Sequence, residues 1–186
     1  MFMFPKRPRL KTFDYVGRYR YFLTFCTHER RRVFIQAEAV ALVLDQILNA
    51  AVLRGFSIPA YVLMPDHAHL LVEGLSDSAD LRAFVKLAKQ KSGYLYSQKH
   101  GQALWQPSFY DHALRDDEAT LPVLWYILTN PVRGGLVSRC EDYPFLGSTT
   151  HSLPEILDAC ADLPWAAWTP EGESVREPQD QGIRQA

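Results

Sequence analysis

The apolar positions of this chain change period several times along its length, and each change marks a boundary between elements. Arg18 to Thr27 (RYRYFLTFCT) is rich in aromatic and β-branched residues with partial alternation, which predicts a first strand leading into the charged turn HERRR. From Gln36 to Leu53 the apolar residues fall at helical spacing without Gly or Pro, so an amphipathic helix follows, and Gly55 ends it. Phe56 to Leu63 predicts a second strand, interrupted by Pro59. The stretch YVLMPDHAHLLVE, residues 61–73, then turns through Met64, Pro65 and Asp66 into a buried strand over Ala68 to Val72, and the short connection makes the two strands an antiparallel hairpin. Ser76 to about His100 predicts a second helix, with Ser78 as its cap and Leu81, Phe84, Val85 and Leu87 as its apolar side. Leu104 to Leu114 predicts an aromatic-rich extended segment that Pro107 confines to an edge or a bulge. Asp116, Asp117 and Glu118 open a third helix, where the macrodipole favours negative charge; it runs from Ala119 to about Asn130 and stops at Pro131.

Two ends lie outside this pattern. Residues 1–16 form a basic arm in which Pro5 and Pro8 break any helix, and Lys6, Arg7, Arg9 and Lys11 are interleaved with Phe2, Phe4 and Phe13. Residues 17–150 make one folded domain, and residues 151–186 are an acid-rich C-terminal extension, partly disordered from about Thr169. With 186 residues, 47% hydrophobic and 22% charged, the chain can bury a full core. The net charge of -1 conceals an asymmetry: the first 32 residues carry nine bases against two acids, +7, which leaves -8 for the rest. Such a basic end is either a solvated face or a footprint for phosphates. Cys26, Cys140 and Cys160 are odd in number and far apart, so no disulfide framework or cysteine zinc site is indicated. No stretch approaches a membrane span and no leader pattern opens the chain, which places the protein in the cytoplasm.

Candidate chemistry centres on His67 and His69. Residues i and i+2 of a strand point to one face, so both imidazoles project together, either to hold a divalent cation or to serve packing through hydrogen bonds. Tyr126 and Asn130, four apart on the third helix, also share a face. Arg82, Lys86 and Lys89 fall at i, i+4 and i+7 on the second helix, and no acid occurs from Leu81 through Tyr110. Together these residues suit a phosphodiester reaction: the histidines and the Asn130 amide oxygen hold Mg2+ or Mn2+, and Tyr126 attacks phosphorus, conserving the bond energy in a phosphotyrosine. The basic arm and stripe bind the nucleic-acid strand. Tyr110, beside Asp111 and His112, is a rival nucleophile or a strand aromatic. His112 and Arg115 are candidates for phosphate contact or for structural hydrogen bonds, and Trp105 and Phe109 for base stacking or core packing.

MPDHAHLL, WQPSFYDHALR and YILTNPVRGGLVSRCEDYPF, in that order, resemble the successive motifs of the REP-associated tyrosine transposases. These are an insertion-sequence-200-like branch of the single-tyrosine HUH transposase superfamily. The resemblance spans roughly Tyr15 to Ser148 and assigns residues 17–150 to an HUH single-tyrosine domain. It implies an α+β fold with a ferredoxin-like antiparallel sheet and helices packed on it. It also implies His67 and His69 as metal ligands, Asn130 as a further ligand and Tyr126 as the nucleophile that forms a 5′-phosphotyrosine. The DNA-binding residues on this reading are Lys6, Arg7, Arg9, Lys11, Arg82, Lys86, Lys89 and Arg115. The implied partner is single-stranded DNA with hairpins of the repetitive extragenic palindromic type, cut and rejoined with Mg2+ or Mn2+. The other readings are a DNA- or RNA-binding protein that keeps the fold without cleaving, and a metal-dependent phosphohydrolase that uses water. The sequence leaves monomer and homodimer equally open.

Overall fold

Alternation in Arg20–Cys26 makes β1: Tyr21, Leu23 and Phe25 point to one face, Phe22 and Thr24 to the other, and all five are buried. A strand buried on both faces needs a layer on each side. The first layer comes from Ala37–Arg54 (α1) and Leu81–His100 (α2), the second from Thr120–Arg133 (α3). The computed structural model describes residues 13–114 and 120–170. Its single sheet also contains Phe56–Met64 (β2), His67–Gly74 (β3), Tyr110–Ala113 (β4) and Leu146–Gly147 (β5), in the order β4-β1-β3-β2-β5. Every pairing is antiparallel. The order of the first four strands, with α1 and α2 as crossovers, is the ferredoxin-like α+β arrangement that the motifs imply. A short helix, Leu153–Ala159 (α4), starts with a reciprocal cap between Ser152 and Glu155 and sets Ile156 and Cys160 into the second layer.

The core is correspondingly double. Leu23, Phe25, Ile47, Leu70, Val72 and Phe84 fill the space under α1 and α2, while Phe22, Val62, Leu71, Val123 and Ile127 fill the space under α3. Burying each such side chain stabilises the fold by about 1.5–3 kcal/mol. The hairpin of β2 and β3 closes through Pro65 and Asp66 as expected, and Pro59 is accommodated where the register of β2 shifts between Ser57 and Ala60. At the far end of β3, Gly74 lies so close to Gly17 that a Cβ would meet the Gly17 carbonyl oxygen at 2.1 Å.

Three boundaries differ from the sequence reading. Helix α2 begins at Leu81 rather than Ser76, and its cap is Asp80, whose carboxylate accepts from the Ala83 amide at 3.0 Å, while Ser78 bonds Ser76. Helix α3 does not stop at Pro131. Proline there forfeits only one bond near the helix end, and the chain continues to Arg133 before Gly135, at φ 66°, ends it. The segment from Leu104 is strand only over Tyr110–Ala113, and Trp105 makes an isolated bridge to Thr27. The basic stripe of α2 lies across the sheet from the histidines, because α2 covers the face of Leu70 and Val72 whereas His69 faces α3.

Candidate functional site

Pairing places the two histidines. His69 on β3 stands opposite Thr24 of β1 and Val62 of β2, and His67 stands opposite Cys26 and Met64, so the pair occupies the middle of the sheet beneath α3. The Nε2 atoms of His67 and His69 approach to 3.1 Å. Each Nδ1 has its own partner: Asp66 Oδ1 at 2.6 Å from His67, and Thr24 Oγ1 at 2.9 Å from His69. Phe22 stacks on the His69 ring at 5.2 Å. His69 is 2% exposed. Burial, with His67 and Arg30 adding to it, holds its pKa well below the ordinary histidine value, so it is neutral with a lone pair to offer. Burial pushes the Asp66 carboxyl up, but the hydrogen bond to His67 and the charge of Arg30 outweigh it, and the net shift is downward. Arg30 Nε lies 3.5 Å from Asp66.

These donors fit a divalent cation. Two nitrogens in neighbouring positions of an octahedron, each about 2.1 Å from the centre, lie about 3.0 Å apart, close to the observed separation. Among the described residues no group of three or more His, Cys, Asp and Glu side chains is placed to hold a metal ion.

Helix α3 brings Tyr126 to this pair. Its ring lies 5.7 Å from that of His69 and 5.7 Å from Phe22, and it is 1% exposed. Asn130 follows one turn later and is also buried; its Nδ2 donates to the Tyr126 carbonyl at 2.9 Å, and Oδ1 is the atom such an amide can offer to a cation. Tyr110 stands opposite Thr24 and His112 opposite Phe22, on the same face, and Tyr110 packs on Phe22 at 6.2 Å. Tyr126 is in ring contact with a histidine of the pair.

Two side chains that the sequence reading did not single out close the site. Trp168, beyond α4, lies 5.2 Å from Tyr126, 5.0 Å from Phe22 and 6.1 Å from His112. The Arg133 guanidinium sits 5.3 Å from the Tyr126 ring and 4.6 Å from Trp165, and donates to the Trp165 carbonyl. Thr24 and Asp66 were also missed as partners. Asp66 is next to His67 in sequence, but the role of Thr24 depends on a strand register that no local pattern reveals.

The other candidates divide. Arg82, Val85, Lys86, Lys89, Pro107 and Phe109 line a groove of about 350 Å³. The Arg82 guanidinium lies 4.9 Å from the Tyr15 ring. Lys89 turns its ammonium into the protein, donating to the carbonyls of Gln106 at 2.7 Å, Pro107 at 3.4 Å and Ser108 at 3.0 Å; burial brings its pKa down to about 8, with Cys26 opposing. Trp105 belongs to the core, with its indole N–H on Ser92 at 2.9 Å, and Phe109 packs on Phe25. Lys6, Arg7, Arg9, Lys11 and Arg115 lie outside the described residues. No helix among the described residues is long and apolar enough to cross a membrane.

Comparison with known proteins gives a consistent picture. The family model for "Transposase IS200 like" proteins matches residues 15–127, a span that includes both histidines and Tyr126. A REP-associated tyrosine transposase of Escherichia coli (strain K12) is 29% identical over 113 residues, covering 61% of this chain and 64% of the relative. A relative from Haemophilus influenzae is 31% identical over 103 residues, covering 48% of this chain and 57% of that one. The match thus spans less than two thirds of the length of either relative. Among solved structures, that of a REP-associated tyrosine transposase bound to a REP hairpin has the same fold, with a TM-score of 0.65 and 23% identity over 92% of this chain and 100% of the other.

Proposed function

The chain belongs to the IS200-like transposase family, and from that membership we propose that it is a metal-dependent endonuclease and strand transferase of single-stranded, hairpin-forming DNA. The observation that carries the reading is the ring contact of Tyr126 with His69, 5.7 Å between centroids, beside two imidazole nitrogens 3.1 Å apart. Its substrate class is hairpin DNA of the repetitive extragenic palindromic type, since a solved protein of the same fold is bound to such a hairpin. We place the protein in the cytoplasm, where its DNA substrate and its three free thiols both belong.

His67, His69 and the Asn130 amide oxygen hold Mg2+ or Mn2+. When bound, the cation supplies Lewis-acid polarisation of a phosphodiester oxygen. Tyr126 supplies the nucleophile: its Oη–P bond forms as the P–O3′ bond breaks, leaving a 5′-phosphotyrosine and a free 3′-hydroxyl that has taken up the phenol proton. One ester replaces another, so the reverse attack by a 3′-hydroxyl rejoins strands without an external energy source. Asn130 ties its amide to the Tyr126 carbonyl and steadies the turn from which the nucleophile projects. Since Tyr126 is 1% exposed and Trp168 packs against it, DNA reaches the phenol only after those side chains shift. Arg82 and Lys86, with the arm residues Lys6, Arg7, Arg9 and Lys11 and with Arg115, hold the strand. Lys89, whose ammonium already serves three carbonyls, acts on DNA through the segment it fastens.

The test uses a 3′-labelled hairpin oligonucleotide with Mn2+ or Mg2+, because the 3′ fragment is the one that stays on the tyrosine. A protein–DNA adduct resistant to denaturation, mapped to Tyr126 and absent in Tyr126→Phe, is the expected result. An undiminished adduct in that variant moves the nucleophile elsewhere, and free product without adduct identifies a hydrolase.

A further inference from the structure

We propose that Thr24 and Asp66 are positioning residues that hold the rings of His69 and His67 through their Nδ1 atoms, Asp66 fixing one tautomer and Thr24 serving either, and so aim both Nε2 atoms at one divalent cation. The assignment rests on the metal reading above and goes beyond it in saying how the ligands are prepared.

An ionised carboxylate only accepts, so Asp66 Oδ1, 2.6 Å from His67 Nδ1, requires a hydrogen on that nitrogen. In a neutral ring the His67 Nε2 is then a bare lone pair. His69 Nε2 lies 3.1 Å from it, too close for two facing lone pairs, so in the metal-free protein His69 carries its hydrogen on Nε2 and donates. That leaves His69 Nδ1 bare, and Thr24, 2.9 Å away, donates its hydroxyl hydrogen to it. The chain Thr24–His69–His67–Asp66 is therefore satisfied end to end in a site where Thr24 is 1% and His69 2% exposed, which an unpaired polar atom would destabilise.

The two ends of the chain differ in kind. Asp66 is further held by Arg30 at 3.5 Å, and the backbone carbonyl of Asp66 accepts from the Thr27 amide at 3.0 Å and the Thr27 hydroxyl at 2.9 Å. The carboxylate thus fixes the His67 tautomer permanently. Thr24 is a hydroxyl, able to donate or accept. With the cation bound, His69 carries its single hydrogen on Nδ1 instead of Nε2, the ring stays neutral, and Thr24 accepts that hydrogen in place of donating its own. A threonine at this position therefore serves both states of the site, whereas an apolar residue of the same shape serves neither.

Two measurements test the assignment. In nitrogen-15 correlation spectra of the metal-free wild-type protein at neutral pH, His67 is expected as the Nδ1–H tautomer and His69 as the Nε2–H tautomer. His69 found protonated at Nδ1 overturns the chain. In Mn2+ titrations followed by electron paramagnetic resonance, Thr24→Val and Asp66→Asn are expected to bind about 10- to 100-fold more weakly than wild type, and Thr24→Ser to recover most of the loss. Wild-type affinity in both Thr24→Val and Asp66→Asn overturns the positioning role while the metal reading stands. A wild-type protein that binds no Mn2+ overturns both. The spectra need no variant, so they decide the tautomers even where a substitution prevents folding.

Discussion

At the scale of single residues, the proposed function assigns the binding of DNA and its cutting to different side chains. On the proposed function His67 offers a nitrogen to the cation, and it sits on the sheet face under α3, away from the basic stripe of α2. Replacing it by alanine removes half of the imidazole pair and leaves the stripe intact. His67→Ala is expected to slow adduct formation at least about 100-fold, since metal polarisation is worth several kcal/mol, while hairpin affinity changes by less than about 0.5 kcal/mol. Single-turnover cleavage and a binding titration without metal separate the two; equal losses in both assign His67 to DNA binding. Much of this site is legible locally. Strand parity puts His67 and His69 on one face, and helical spacing does the same for Tyr126 and Asn130. What joins the two pairs is not local: Tyr126 meets His69 across 57 residues, and Trp168 arrives from beyond α4. Nothing in the periodicity of one segment encodes which side chain of another will face it.

At the scale of elements, the strands and helices follow their sequence patterns, and the misjudged boundaries have a common cause. A cap or a break is decided by the geometry of a few backbone groups. Ser78 and Asp80 are both good caps by type, yet only Asp80 has the Ala83 amide within reach. Pro131 is a strong breaker in mid-helix and a mild one in the last turn. Close approach is equally local. At Gly74 the Gly17 carbonyl occupies the place of a Cβ, so Gly74→Ala forces β3 away from its neighbour and is expected to destabilise the fold by about 1–3 kcal/mol in urea unfolding; an unchanged midpoint would show that the Gly17 loop simply moves aside. The segment before β4 is held by Lys89, and this has a pH signature. Its pKa falls from 10.5 to about 8 in the fold, so between those values the unfolded chain holds a proton that the fold has shed. The contribution of this group to stability therefore rises with pH across that window. The difference in Tm between wild type and Lys89→Met is expected to shift in favour of wild type from pH 8 to pH 10, and a difference flat with pH rejects the shifted lysine.

Over the whole molecule, the sheet separates two surfaces. The imidazole pair and Tyr126 lie under α3, behind Trp168 and Arg133, while Arg82 and Lys86 open onto the groove beside α2. The groove is lined by Pro107 and Phe109, just ahead of edge strand β4, on which Tyr110 and His112 face the site. Such an arrangement makes docking largely electrostatic and the chemistry local. Each phosphate neutralised by a lysine or arginine releases counterions and contributes about 0.7 to the slope of log affinity against log salt on single strands, and about 0.9 on a duplex. Arg82→Ala and Lys86→Ala are therefore expected to lower that slope by about one such step each, and by about two together, because both side chains are exposed. With DNA saturating, the single-turnover rate of adduct formation should stay at the wild-type value, since neither residue is on the face of Tyr126. Salt titrations of hairpin binding together with that rate decide the matter. A slope unchanged in the double variant takes the groove out of the DNA path, and a rate that falls with the slope intact places these side chains at the chemistry rather than at the docking surface.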